Sequence, residues 1–228
     1  SCHAWGVGHT AYSILAIPAL SASALLWALL AGGVFGGVAR LFSVSTHYWG
    51  VFFKRFVAYP PLRPVLGGCV LAVAVWLTAT TKYIGLGVPT IVAAFDQELP
   101  FYDFLAKILF TSFTLGAGFK GGEVTPLFYI GATLGNMLSG WIPLPMALLA
   151  GMGFVGVFSG ATNTPLACTL MGMELFGVSC GVYVAIASVM AYLFSGHVAS
   201  MPRRSWVAPN TSVLAIQKVN AYPIYKCV

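Results

Sequence analysis

Residues 13–39 pass without a single Asp, Glu, Lys, Arg or His. At 1.5 Å per helical residue, a stretch of that length crosses the roughly 30 Å of hydrocarbon in a bilayer. Inside lipid every backbone N–H and C=O needs a partner within the protein, and a helix provides that from one segment. The rest of the sequence is of the same kind: 59% of the 228 residues are apolar and 7% are charged, against roughly 25% charged in a soluble domain. Five acidic residues cannot coat a soluble core of this size. The 26 glycines are spread among Leu, Ala, Val and Phe, a mixture typical of transmembrane helices rather than of low-complexity segments. The chain reads as an all-α integral membrane protein.

The basic residues support that reading over a nucleic-acid one. Arg40, Lys54, Arg55 and Arg63 fall in one segment, and Arg203, Arg204, Lys218 and Lys226 in the tail, so no basic stripe runs along a soluble helix. After the first span, residues 40–63 read as a basic, aromatic loop, residues 65–81 as a second span, and residues 82–103 as an acidic connection with Asp96, Glu98 and Asp103. Cytoplasmic loops are enriched in Lys and Arg, so the first connection is expected inside and the second outside. A third helix is expected over about 103–116. Gly32, Gly33, Gly36 and Gly37 form overlapping small-xxx-small pairs in the first span, suited to close helix contact.

From there the apolar segments shorten. Breaks at 116–126, at 141–145 and from Ser159 to Pro165 separate helices expected near 127–140, 146–158, 166–176 and 179–195, and residues 198–228 form a polar tail. Irregular backbone at membrane depth is tolerated where protein or a water-filled cavity satisfies it. Half-helices that begin at mid-membrane present unpaired N–H groups and a positive dipole end, which suits an anion. The clearest such entrance is Lys120-Gly-Gly-Glu-Val-Thr-Pro126. Gly121 and Gly122 are expected to permit a tight turn and close backbone approach. Pro126 suits a first helical turn. Glu123, Val124 and Thr125 then stand where helix amides bind anions, and Gly131 and Gly135 leave one face small for packing.

In this stretch the sequence resembles the CLC chloride channel and transporter family. That family's second-half motif, Gly-Gly-x-Phe-x-Pro ahead of a Gly-rich helix, reads here Gly-Gly-Glu-Val-Thr-Pro followed by Gly-Ala-Thr-Leu-Gly. Val124 in place of the Phe, preceded by Glu, looks like the bacterial fluoride-type branch. The Trp-Gly-Val-Gly-His start, Tyr83-Ile-Gly-Leu-Gly-Val-Pro89, Ala161-Thr-Asn-Thr-Pro-Leu-Ala167 and Met173-Glu174-Leu-Phe agree with it. The resemblance covers about residues 1–197. It implies a homodimer with one anion path per subunit, moving fluoride or chloride and coupled to protons, in the plasma membrane (the bacterial inner membrane). It also implies two inverted repeats per subunit, of which this chain holds the second, with broken and re-entrant helices. The family's gating glutamate lies in the first repeat. Val124 matches the position whose backbone amide meets the anion, and Glu123 and Thr125 match positions implicated in fluoride movement. Gly121, Gly122, Glu123, Val124 and Thr125 are therefore the expected anion site. The family's central tyrosine has no match here, and neither Tyr222 nor Tyr225 is assigned its role. The first methionine is Met137, and the chain is expected to be a fragment.

Other readings compete with this one. Glu123 and Thr125 could simply cap their helix. A chloride channel or chloride/proton antiporter is the alternative within transport, and a non-transporting fragment the alternative outside it. An intramembrane serine protease would need Ser159 and His197 within hydrogen-bond reach of one another and an oxyanion hole. Val157 stands where the usual glycine before such a serine would be, so no enzyme is expected. Cys2, Cys69, Cys168, Cys180 and Cys227 show no metal or CxxC spacing, and His9, His47 and His197 share none either. Neither a metal nor another cofactor is expected.

Overall fold

The structure, a computed structural model, describes residue 14 and residues 16–196. The expected tail at 198–228, the first twelve residues, His197, Tyr222 and Tyr225 lie outside the described residues. Regular structure among the described residues is all helical: α1 (Ala22–Phe56), α2 (Leu62–Thr78), α3 (Val88–Asp96), α4 (Asp103–Gly116), α5 (Val124–Leu138), α6 (Met146–Thr162), α7 (Pro165–Phe176) and α8 (Gly181–Ser195), with a 3-10 turn at Val178–Cys180.

α1 begins where the Ser21 hydroxyl accepts the Ala24 amide at 3.2 Å, the usual way a serine caps a helix. It does not end near residue 39. It continues to Phe56, so Arg40, Lys54 and Arg55 lie on a helix and the expected basic loop shrinks to residues 57–61. The cause is aromatic packing: Trp49 and Phe53 meet Phe113 of α4 edge-on, with ring centroids 5.0 and 5.3 Å apart, and no proline interrupts before Pro60. With 35 residues the helix is about 52 Å long. That exceeds the hydrocarbon thickness, so α1 must tilt or project beyond it.

The 82–103 connection also differs from expectation, since it contains α3. Gly87, at φ 70°, and a proline in the first turn start this nine-residue helix, and Ile91, Ala94 and Phe95 bury one side of it. α6 runs on to Thr162, with Asn163 at φ 58° as its C-cap. The third break is thus confined to Asn163 and Thr164, and Ser159 is helical.

α6 is buried at 13 of its 17 residues, the all-round apolar pattern of a central helix. α5 lies directly against it. A methyl group on Gly131 would strike the Gly153 carbonyl, one on Gly153 the Gly131 carbonyl, and one on Gly135 the Leu149 carbonyl. The expected small face of α5 is therefore a backbone-to-backbone contact. α8 packs on both α1 and α6, and α4 on α1 and α5. Of the paired glycines in α1, Gly32 and Gly36 make the contact with α8, whereas Gly37 has nothing within 4 Å of where a Cβ would stand. α2 is peripheral, with Gly67 its one buried residue. Trp76 and Trp141 are 79% and 84% exposed, as interfacial anchors would be.

Candidate functional site

The turn between α4 and α5 is built in steps. α4 ends as the Ala117 amide donates to the Phe113 carbonyl at 2.8 Å and the Gly118 amide to the Leu115 carbonyl at 3.0 Å. Gly118 then takes φ 94°, which a side chain would resist. Lys120, Gly121 and Gly122 follow on the exposed surface. Here the sequence expectation needs correcting: neither Gly121 nor Gly122 has a positive φ, and a Cβ on either would have no atom within 4 Å. The residue that makes the turn possible is Gly118, and the glycine pair forms an open mouth.

Glu123 is the N-cap of α5, with helical φ and ψ and no side-chain capping hydrogen bond; its Oε2 is buried. Its side chain therefore does not cap the helix through a hydrogen bond to a helix amide. Thr125 lies inside the helix, second after the cap, so it is not the cap either. The first intrahelical bond is from the Leu127 amide to the Glu123 carbonyl at 3.2 Å. Pro126, third in the helix, has no N–H to offer. The amides of Val124 and Thr125 are left without an acceptor among the described residues, at the positive end of the helix dipole. Val124 is 37% exposed, so this end of α5 is accessible from outside the described fold. Two amides without an acceptor among the described residues thus stand at the helix start, next in sequence to the Glu123 side chain and the Thr125 hydroxyl.

Behind the turn lies a polar cluster that the sequence reading passed over. Asp103, counted above as an external charge, is fully buried. It pairs with Lys82 Nζ and accepts the Tyr83 hydroxyl at 2.8 Å. One helical turn later Lys107, 1% exposed, donates to the backbone carbonyls of Gly85 and Tyr83. The signal was present: an acid and a lysine four apart in an otherwise apolar helix fall on one face. Asn136, quoted above only as the end of the motif, fastens α5 to the end of α3 through three hydrogen bonds.

Ser159 is fully buried and donates to the Ser188 carbonyl at 3.0 Å. It joins α6 to α8 and is not presented as a nucleophile.

The chain matches the family described as voltage gated chloride channel over residues 2–196. It is 50% identical over 200 residues to a chloride/fluoride channel protein of Pseudomonas syringae pv. tomato, a match covering 85% of this chain and 44% of that one. Among solved structures, a CLC-type fluoride/proton antiporter superposes with a TM-score of 0.84 at 32% identity, over 88% of this chain and 51% of that chain. A slow cyanobacterial Cl−/H+ antiporter, with a TM-score of 0.66 and 19% identity, shows the shared fold alone. The chain spans about half the length of these relatives. With a family match that covers all of its described residues and the same helical fold, the chain belongs to the CLC family of voltage-gated chloride channels.

Proposed function

We propose that the full-length protein is a plasma-membrane anion transporter that exchanges fluoride for protons, and that the start of α5 is part of its anion path. The observation that carries this reading is the helix entrance itself, where the Val124 and Thr125 amides lack acceptors among the described residues, next in sequence to the Glu123 carboxylate and the Thr125 hydroxyl. Fluoride is small and strongly hydrated, so its path must replace water with closely spaced N–H and O–H donors. The amides and the Thr125 hydroxyl supply them, and Glu123 supplies a group that can take up a proton. Gly121 and Gly122 leave the approach unobstructed. The name of the Pseudomonas relative covers both halides, which makes chloride the second reading.

The same proposal includes a homodimer. α7 and α8 expose Leu166, Leu170, Val182, Val189 and Leu193, an apolar surface suited to a second copy in the membrane.

The test is flux from liposomes containing the full-length protein, read with fluoride and chloride electrodes. Fluoride efflux well above chloride efflux, accompanied by proton movement, is the expected result. Chloride flux alone would favour the second reading, and flux of neither would refute the assignment.

A further inference from the structure

Lys107 is a buried cation that the transport reading leaves without a task. Its Nζ donates to the carbonyl oxygens of Gly85 at 2.7 Å and Tyr83 at 3.1 Å, and lies 4.9 Å from the centre of the Tyr129 ring. Each of these neighbours offers partial negative charge, and none is an anion. Asp103, one turn away on the same helix, is taken up by Lys82 and Tyr83. The Asp103 carboxylate forms its ion pair with Lys82, and no ion pair to Lys107 is formed by a described residue. Holding two loop carbonyls does not require a charge, since a neutral amide donates to them as well. Burying an ammonium is far more costly than burying an amide. An ionisable group inside a membrane protein is therefore first to be considered functional.

Its location suggests what the charge does. Lys107 lines a cavity of about 470 Å³ whose wall also includes Thr111, Thr114, Gly121 and Gly122. Much of the remaining wall is apolar, formed by residues such as Leu71, Val75 and Phe110, and a charge acts further across a low-dielectric space than through water. We propose that Lys107 is a positioning residue for anion transport, a fixed positive charge that draws the anion into this cavity beside the turn leading to α5. It acts through its field and needs no contact with the ion. This inference rests on the transport reading and adds to it a residue outside the helix entrance.

The experiment uses the full-length protein in liposomes, with flux measured against fluoride concentration. Lys107→Gln keeps a donor for the carbonyls and removes the charge; Lys107→Arg keeps the charge. Loss of the charge should raise the KM for fluoride roughly fivefold to fifteenfold, the Coulomb effect of a unit charge across about 10 Å, the width of such a cavity, at an effective dielectric of about 20 to 35. The maximal rate and melting temperature should change little, and the arginine variant should restore the wild-type KM. An active wild type with an unchanged KM in Lys107→Gln overturns the inference and leaves the transport reading intact. A wild type that moves neither fluoride nor chloride overturns both. If the glutamine variant fails to fold, Thr114→Lys and Thr114→Glu change the charge of the same wall without touching Lys107. Shifts of KM down and up respectively support the inference, and no shift in either overturns it.

Discussion

Replacing Asn136 is the most direct test of how α5 is held. Its side chain is 4% exposed. Nδ2 donates to the carbonyls of Ala94 at 2.8 Å and Gln97 at 2.7 Å, and Oδ1 accepts the Leu99 amide at 3.0 Å. One amide thus ties the end of α3 and the chain beyond it to α5. Asn136→Leu keeps the bulk and removes all three bonds, leaving two carbonyls and an N–H to find other partners. A hydrogen bond contributes about 0.5–1.5 kcal/mol net in general and about 0.6 kcal/mol on average between membrane helices. Three together give about 2–3 kcal/mol, a fall in melting temperature of about 4–12 °C by the scaling for domains of 150–250 residues. Asn136→Asp retains the acceptor for Leu99 but turns an oxygen toward two carbonyl oxygens, and should be no more stable than the leucine variant. The assay is thermal unfolding of the full-length protein in detergent, followed by the loss of its monodisperse chromatographic peak. Asn136 lies twelve residues beyond Val124, about 18 Å along the helix, so anion selectivity should not change. A leucine variant that melts within about 1 °C of wild type would refute the reasoning.

Two glycine comparisons test the packing. A methyl at Gly36 would stand 2.6 Å from the Ala191 carbonyl oxygen and 2.8 Å from the Phe194 Cβ, while one at Gly37 meets nothing within 4 Å. Gly36→Ala should therefore lose about 1–3 kcal/mol through overpacking, and Gly37→Ala should gain up to about 1 kcal/mol of helix propensity. Equal melting temperatures for the two would contradict the α1–α8 contact. At the turn, Gly118→Ala forces a side chain into φ 94° and should cost at least about 1 kcal/mol, whereas Gly122→Ala, with open space around it, should melt like wild type. The reverse order would restore the expectation that Gly122 is the constrained glycine.

The helices of the second half were legible because Gly, Pro and Asn punctuate them. Pro126, Pro145 and Pro165 lie at helix starts, and Asn163 and Gly177 follow helix ends. The entrance at Glu123–Thr125 was legible for the same reason, since a helix must begin shortly after Gly121-Gly122. What the sequence concealed was tertiary. Arg40, Lys54 and Arg55 look like a loop until Trp49 and Phe53 are seen packed on Phe113, which holds α1 helical to Phe56. α3 was missed because nine residues between a glycine and an acidic stretch are too few for a clear helical period. Asp103 read as a solvent charge because its four-residue spacing to Lys107 marks a shared helix face but not that Lys82 and Tyr83, about twenty residues away, close over it. The constrained glycine was misassigned because a Gly-Gly pair suggests close approach, while the residue forced to positive φ was the single Gly118.

The central claim is that the start of α5 binds the anion, with Glu123 and Thr125 adjusting what the backbone amides hold. The measurement is the fluoride-over-chloride flux ratio of the full-length protein in liposomes, taken together with melting temperature for Thr125→Val and Glu123→Gln. Thr125→Val removes one hydroxyl donor at constant shape, worth about 0.5–1.5 kcal/mol, so fluoride affinity should fall roughly threefold to tenfold while melting stays near wild type. Glu123→Gln should change the rate and the pH dependence of fluoride flux, again with folding nearly intact. Lower melting temperatures with flux, selectivity and pH dependence unchanged in both variants would contradict the claim and leave these residues a purely structural role at the helix start.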